Sequence, residues 1–125
     1  MAKSKAPLIR WLPKPEPHNY PAATSYLSLI YPKARVTKIV AALRSAPVVE
    51  FKAKDIFRAS RLSLLGVSNA HVERDLRKIA KETSLAPILL VRDSLLGKVV
   101  IADGYHRLCA IYQVDEDAVI RCKIV

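Results

Sequence analysis

Two apolar runs, Ile88-Leu89-Leu90-Val91 and Val99-Val100-Ile101-Ala102, stand on either side of a polar stretch containing Gly97. Short continuous runs bounded by turn residues predict buried strands, here Ile88 to Val91 behind Pro87 and Lys98 to Ala102. Val119 to Val125 alternates instead, with Ile120, Cys122 and Ile124 between Arg121 and Lys123, and predicts a closing strand. Val48 to Phe51, released by the breaker Pro47, predicts a first one. Helical spacing appears elsewhere. Val36, Ile39, Val40 and Leu43 form a stripe over Lys33 to Ser45, and Val72, Leu76, Ile79 and Ala80 form another from Ala70 to about Thr83. Asn69 is placed to cap the second of these. Pro21 to Pro32 predicts a shorter helix with Ala23, Tyr26, Leu27 and Ile30 on one face. Tyr105 to Gln113 predicts a buried one. Lys54 to Leu65 reads as irregular or briefly helical, ending at Gly66.

This order predicts an α+β domain: a compact mixed sheet of about four strands with packed helices. The strand order is left open by the pattern. Residues 1–20 hold four of the eight prolines and read as a basic, extended, partly flexible arm. Trp11 would pin that arm to the body or to a partner, the body being the favoured reading. Residues 21–46 form N-terminal helices and 47–125 the sheet-bearing part, with 21–125 as one globular unit.

Composition narrows the classes. A chain of 125 residues is one domain. No apolar run approaches the roughly 20 residues that span a bilayer, and Met1 to Arg10 has no apolar signal core, so a cytoplasmic protein without a membrane partner is expected. Cys109 and Cys122 fall at apolar positions and read as core thiols rather than a disulfide framework or zinc site. The net charge of +10 is concentrated early: eight of the 21 Lys/Arg but one of the 11 acids, Glu16, lie in residues 1–49. That excess favours contact with a polyanion such as DNA through counterion release, or solvated lysines and nothing more.

The chemistry gathers at Ala102-Asp103-Gly104-Tyr105-His106-Arg107, between a predicted strand and a predicted helix. Glycine lets backbone amides approach a ligand, and the helix N-terminus adds partial positive charge suited to phosphate. Arg107 can fork two donors onto a phosphate or lie in a surface salt bridge. His106 can donate to phosphate, shuttle a proton, or bond a backbone carbonyl. Asp103 can orient a substrate hydroxyl, hold magnesium through water, or cap the helix. Tyr105 reads as packing.

The segments Pro87 to Arg92 and Val99 to Ala110, followed by a short strand, resemble the ParB/sulfiredoxin superfamily, over about Val48 to Val125. Its members share a proline-led strand, a second strand, a glycine followed two or three residues on by arginine, and a helix. The resemblance implies a ParB/sulfiredoxin-like fold binding a nucleotide or phosphorylated small molecule, ATP or CTP with Mg2+, at Gly104, Tyr105, His106 and Arg107. Sulfiredoxins carry Gly-Cys-His-Arg; Tyr105 replaces the catalytic cysteine, so sulfiredoxin activity is not expected. Partition proteins carry Gly-Glu-Arg-Arg, which Tyr105 and His106 break. Asp103 before the glycine leans towards the free serine kinases, hence towards phosphoryl transfer or nucleotide hydrolysis.

By loose alignment, Arg58, Arg61 and His71 would join the nucleotide site, against plain readings as solvated residues. Catalytic roles would fall to Asp103, His106 and Glu73, the nearby groups able to serve as acid or base. Two rival functions stand beside this one. The first is a nucleic-acid-binding or nuclease-like module using the basic N-terminal half, and the second is a non-catalytic interaction protein that kept the fold.

Overall fold

The computed structural model describes residues 8–63 and 69–125. Nine elements follow in order: α1 (Asn19–Leu27), α2 (Lys33–Ser45), β1 (Val49–Lys52), α3 (Ala53–Ser60), α4 (Ala70–Ala80), β2 (Ile88–Asp93), β3 (Lys98–Asp103), α5 (Tyr105–Val114) and β4 (Val119–Ile124). The fold is mixed α+β, as the pattern predicts. The strands form one sheet in the order β1-β4-β2-β3. β1 pairs antiparallel with β4, and β2 pairs antiparallel with β3. β2 and β4 run parallel, with Ile88 opposite Cys122 and Leu90 opposite Ile124.

The apolar runs do not alternate because both faces of the sheet are covered. Successive strand residues point to opposite faces. Ile88, Leu90, Ile101, Ile120 and Cys122 therefore enter one core, with Ile56 and Phe57 of α3, Val72 and Ile79 of α4, and Leu108 and Ile111 of α5. Leu89, Val91, Val100 and Ala102 enter a second core beneath α1 and α2, with Tyr20, Ala23, Leu27, Val36, Val40 and Leu43. The N-terminal helices are thus one layer of the domain.

Several expectations change on packing. α1 begins at Asn19, and its buried residues are Asn19, Tyr20, Ala23 and Leu27, while Tyr26 and Ile30 are exposed. Residues 53–60 form a full helix, because Ile56 and Phe57 bury one face; Gly66 lies outside the described residues. On α4 the buried set is Val72, Asp75 and Ile79, and Ala80 is exposed. Asn69 caps that helix as expected, its side chain accepting from the amides of His71 and Val72. Lys123 does not face solvent: it is buried, donating to the carbonyl of Arg44 at 2.9 Å.

The arm is docked over its described part. Leu12 N–H donates to the carbonyl of Leu85, and Leu85 N–H donates to that of Arg10, each at 2.8 Å. Trp11 pairs with Leu85 as a parallel bridge and packs against the first core. Residues 13–18 then pass the loop that leads into β2, which brings Glu16 and His18 to the same end of the sheet as the β3–α5 turn.

One polar contact ties the α1–α2 connection to the β2–β3 hairpin. The Tyr31 hydroxyl donates to Asp93 at 2.6 Å, both residues being buried. Burial and the Asp93 carboxylate push the Tyr31 hydroxyl up to about 12, and the same bond holds Asp93 below its ordinary 3.8. Arg35 stacks on the outer face of Tyr31, 4.2 Å from the ring centre.

Two outcomes follow. Leu27→Ala, at a fully buried position, should cost about 2–5 kcal/mol in urea unfolding, whereas a loosely attached layer would lose almost nothing. A carboxylate held below its unfolded value stabilises above that value and loses the contribution as pH falls. Tyr31→Phe should therefore melt earlier than wild type at neutral pH, with the gap narrowing as pH drops below 3.8. A gap that widens in acid would contradict this.

Candidate functional site

β3 ends at Asp103, and α5 starts at Tyr105 with Gly104 alone between them. Gly104 has φ +109°, a conformation side chains rarely adopt. Space demands glycine independently. A Cβ there would stand 2.3 Å from Ile88 Cγ2 and 2.9 Å from Arg107 Nη2. The chain thus turns from strand to helix in one residue, pressed against the start of β2. A register shift between Leu89 and Leu90 opposes Leu89 to Asp103 and Leu90 to Ile101. Such a bulge re-aims the end of a strand, here the segment that delivers Asp103.

The N-cap Gly104 supplies no side-chain acceptor to α5, and the first intrahelical bond runs from Leu108 N–H to the Gly104 carbonyl. The amides of Tyr105, His106 and Arg107 thus have no acceptor within the helix, and they carry the positive end of its dipole. Asp103 does not cap α5. Its carboxylate accepts from Arg107 Nη2 at 3.0 Å, both side chains being only 17% exposed. Arg107 Nε is buried and has no hydrogen-bond partner. Arg107 is therefore held in place by Asp103 through one of its five N–H donors, and its Nε is sealed in protein.

Two cavities of opposite character share this turn. The first, 240 Å³, takes Asp103, Gly104, His106 and Arg107 from the turn, faced by Arg74, Asp75 and Lys78 of α4 and by Glu16 and His18 of the arm. It is polar, with Arg74, Lys78 and Arg107 as its fixed cations. The second, 390 Å³, takes Asp103, Gly104, Tyr105 and His106 from the turn, faced by Ala22 and Tyr26 of α1 and by Leu62. It is largely apolar, with two phenol rings in its wall. A 460 Å³ cavity beside Trp11, Val119 and Arg121 includes no residue of the turn.

His106 sits between the two cavities and stacks with His71, ring centres 4.8 Å apart. Burial, and then His71, lower its pKa from the ordinary histidine value, while Asp75 opposes them. Tyr105 is more than packing: its hydroxyl donates to the carbonyl of Ser63, which joins α5 to the segment after α3. Burial, with Cys109 adding to it, raises its pKa.

The structure thus gathers Asp103, Gly104, Tyr105, His106 and Arg107, and brings His71 against His106. The remaining expected site residues lie elsewhere. Arg58 is exposed on α3 beside Asp55, 3.8 Å away. Arg61 ends α3 in a left-handed conformation, with Nη2 3.8 Å from where a Cβ on Gly97 would be. Glu73 points outward and pairs with Arg77 at 3.4 Å. None of the three lines either cavity at the turn. Arg74, Asp75, Lys78, Glu16 and His18 are the residues that sequence reasoning missed. The helical spacing of 74, 75 and 78 was the available signal, since such positions share one side of a helix.

No family model, curated protein or solved structure matches this chain.

Gly104→Ala tests the turn. Strain alone should cost about 1–3 kcal/mol, and the clash with Ile88 adds to it. The variant should unfold at clearly lower urea than wild type; equal stability would mean the turn tolerates a Cβ.

Proposed function

We propose that this chain binds a nucleotide at the Asp103–Arg107 turn. Its phosphates would lie in the polar cavity at the N-terminus of α5, and its nucleoside against Tyr26, Leu62 and Tyr105 in the apolar one. The observation that carries this reading is the meeting of two unlike cavities at one uncapped helix start. A nucleotide has that same division, a charged end joined to a flat apolar one. Amides at a helix N-terminus suit phosphate oxygens, and the Arg107 guanidinium, which lines the same cavity with one N–H given to Asp103, adds further donors for them.

Phosphoryl transfer or nucleotide hydrolysis is the reaction class we propose for it, since positioning and charge stabilisation supply most of that chemistry. His106, its pKa lowered by burial and then by His71, is the group at the turn to which we assign uptake of a proton. Among the described residues no three His, Cys, Asp or Glu side chains converge on a metal site. Magnesium carried by phosphates needs only one or two protein carboxylates, and Asp103 would be the one at the turn. The reading agrees with the ParB/sulfiredoxin resemblance of the same segment.

A second reading rests on a separate observation. Residues 17–49 contain no acid, and Lys33, Arg35, Lys38 and Arg44 are exposed on the α1–α2 layer. That surface favours contact with nucleic acid, with an affinity that falls steeply with salt.

Calorimetry with ATP, CTP and GTP plus magnesium tests the first reading. Arg107→Ala should weaken binding about tenfold or more. Tyr26→Ala should weaken nucleotides while leaving inorganic phosphate unchanged. Failure of wild type to bind any of the three would overturn the proposal.

A further inference from the structure

We infer that the polar cavity is shaped for a phosphate that still carries a proton, and that Asp75 is the residue that reads that proton. The inference rests on the phosphate reading of the cavity and goes beyond it, because it names which phosphates are accepted.

A carboxylate inside an anion site repels the ligand unless it meets a donor. Asp75 is only 4% exposed, and it faces the cavity. Among the described residues no hydrogen bond or ion pair reaches it. Its neighbour Arg74 turns to His71 Nδ1 instead, at 3.2 Å. The Asp75 carboxylate oxygens are not among the polar atoms sealed in protein without a partner and open into the cavity, so a donor for them is one a ligand would bring. The opposite need is present in the same cavity, which Arg107 lines with only its Nη2 bond to Asp103 committed. One ligand group that satisfies both must offer acceptors and a donor together.

A protonated phosphate offers both on one phosphorus, its oxygens to Arg107 and the helix amides and its P–OH to Asp75. Sulfate near neutral pH offers acceptors only. So does a phosphodiester, the group inside a nucleic-acid strand. Both would bring lone pairs against the Asp75 carboxylate, a repulsive element of the kind that produces specificity. The cavity is thereby fitted to inorganic phosphate or a terminal phosphate monoester, and closed to the backbone of a polynucleotide.

Calorimetry in divalent-free buffer, with inorganic phosphate, sulfate and dimethyl phosphate as probes, and with ATP plus magnesium titrated in parallel, tests this. Wild type should bind phosphate about tenfold or more tighter than either other anion. Asp75→Asn, nearly isosteric and able to donate, should close the gap by raising sulfate affinity. Equal affinity of wild type for phosphate and sulfate would overturn the inference, as would an Asp75→Asn variant that keeps the preference. So would a preference seen only when magnesium is added, since Asp75 would then be holding a cation. If Asp75→Asn does not fold, the wild-type ratio decides alone. Absence of binding by ATP and phosphate alike overturns the nucleotide reading as well, whereas ATP binding with equal phosphate and sulfate affinity overturns this inference only.

Discussion

The contact of Gly104 with Ile88 is the constraint on which the site depends. A side chain at 104 would overlap the first residue of β2, so the backbone there can lie directly on the sheet. That closeness lets β3 pass into α5 within one residue and sets the free amides of the helix at the sheet's end. α4, the arm and α1 meet the turn at the same end, and the two cavities are the spaces they leave. Asp103 and Arg107 lock across the turn, which holds the guanidinium without using all of its donors.

The two-faced sheet explains why a chain this short can support such a site. α1 and α2 cover the face that α3, α4 and α5 leave open, so β2 and β3 are buried on both sides and form a firm base for the turn. Arg44 and Lys123 both approach the ring of Tyr20, at 4.5 and 5.7 Å. Cations that would otherwise repel one another are thus arranged around an aromatic face. The basic excess is therefore partly structural, which lessens what net charge alone says about a polyanionic partner.

Much of the fold was legible because local chemistry and tertiary packing agree there. Asn69 caps the helix it precedes, Pro87 leads a strand, and Gly104 marks the strand-to-helix turn. α1 misled because Pro21 is a good helix start, yet the buried Tyr20 lies one residue before it and draws the helix back to Asn19. The parallel pairing of β2 with β4 could not be read, since it depends on which strand edges remain open after folding. Of the site, the turn was legible and its opposing wall was not. Asp75 looks like one charge among several on an amphipathic helix. Only the packing of α4 against α5 shows that it is buried and faces the donors of the turn.

On the proposed reading, phosphate is held by the amides that open α5. The decisive measurement is a titration of ATP into 15N-labelled protein, followed at the backbone amides. The largest shifts are expected on Gly104, Tyr105, His106 and Arg107. Shifts confined to the α1–α2 layer, with the amides of 104–107 unmoved, would contradict it.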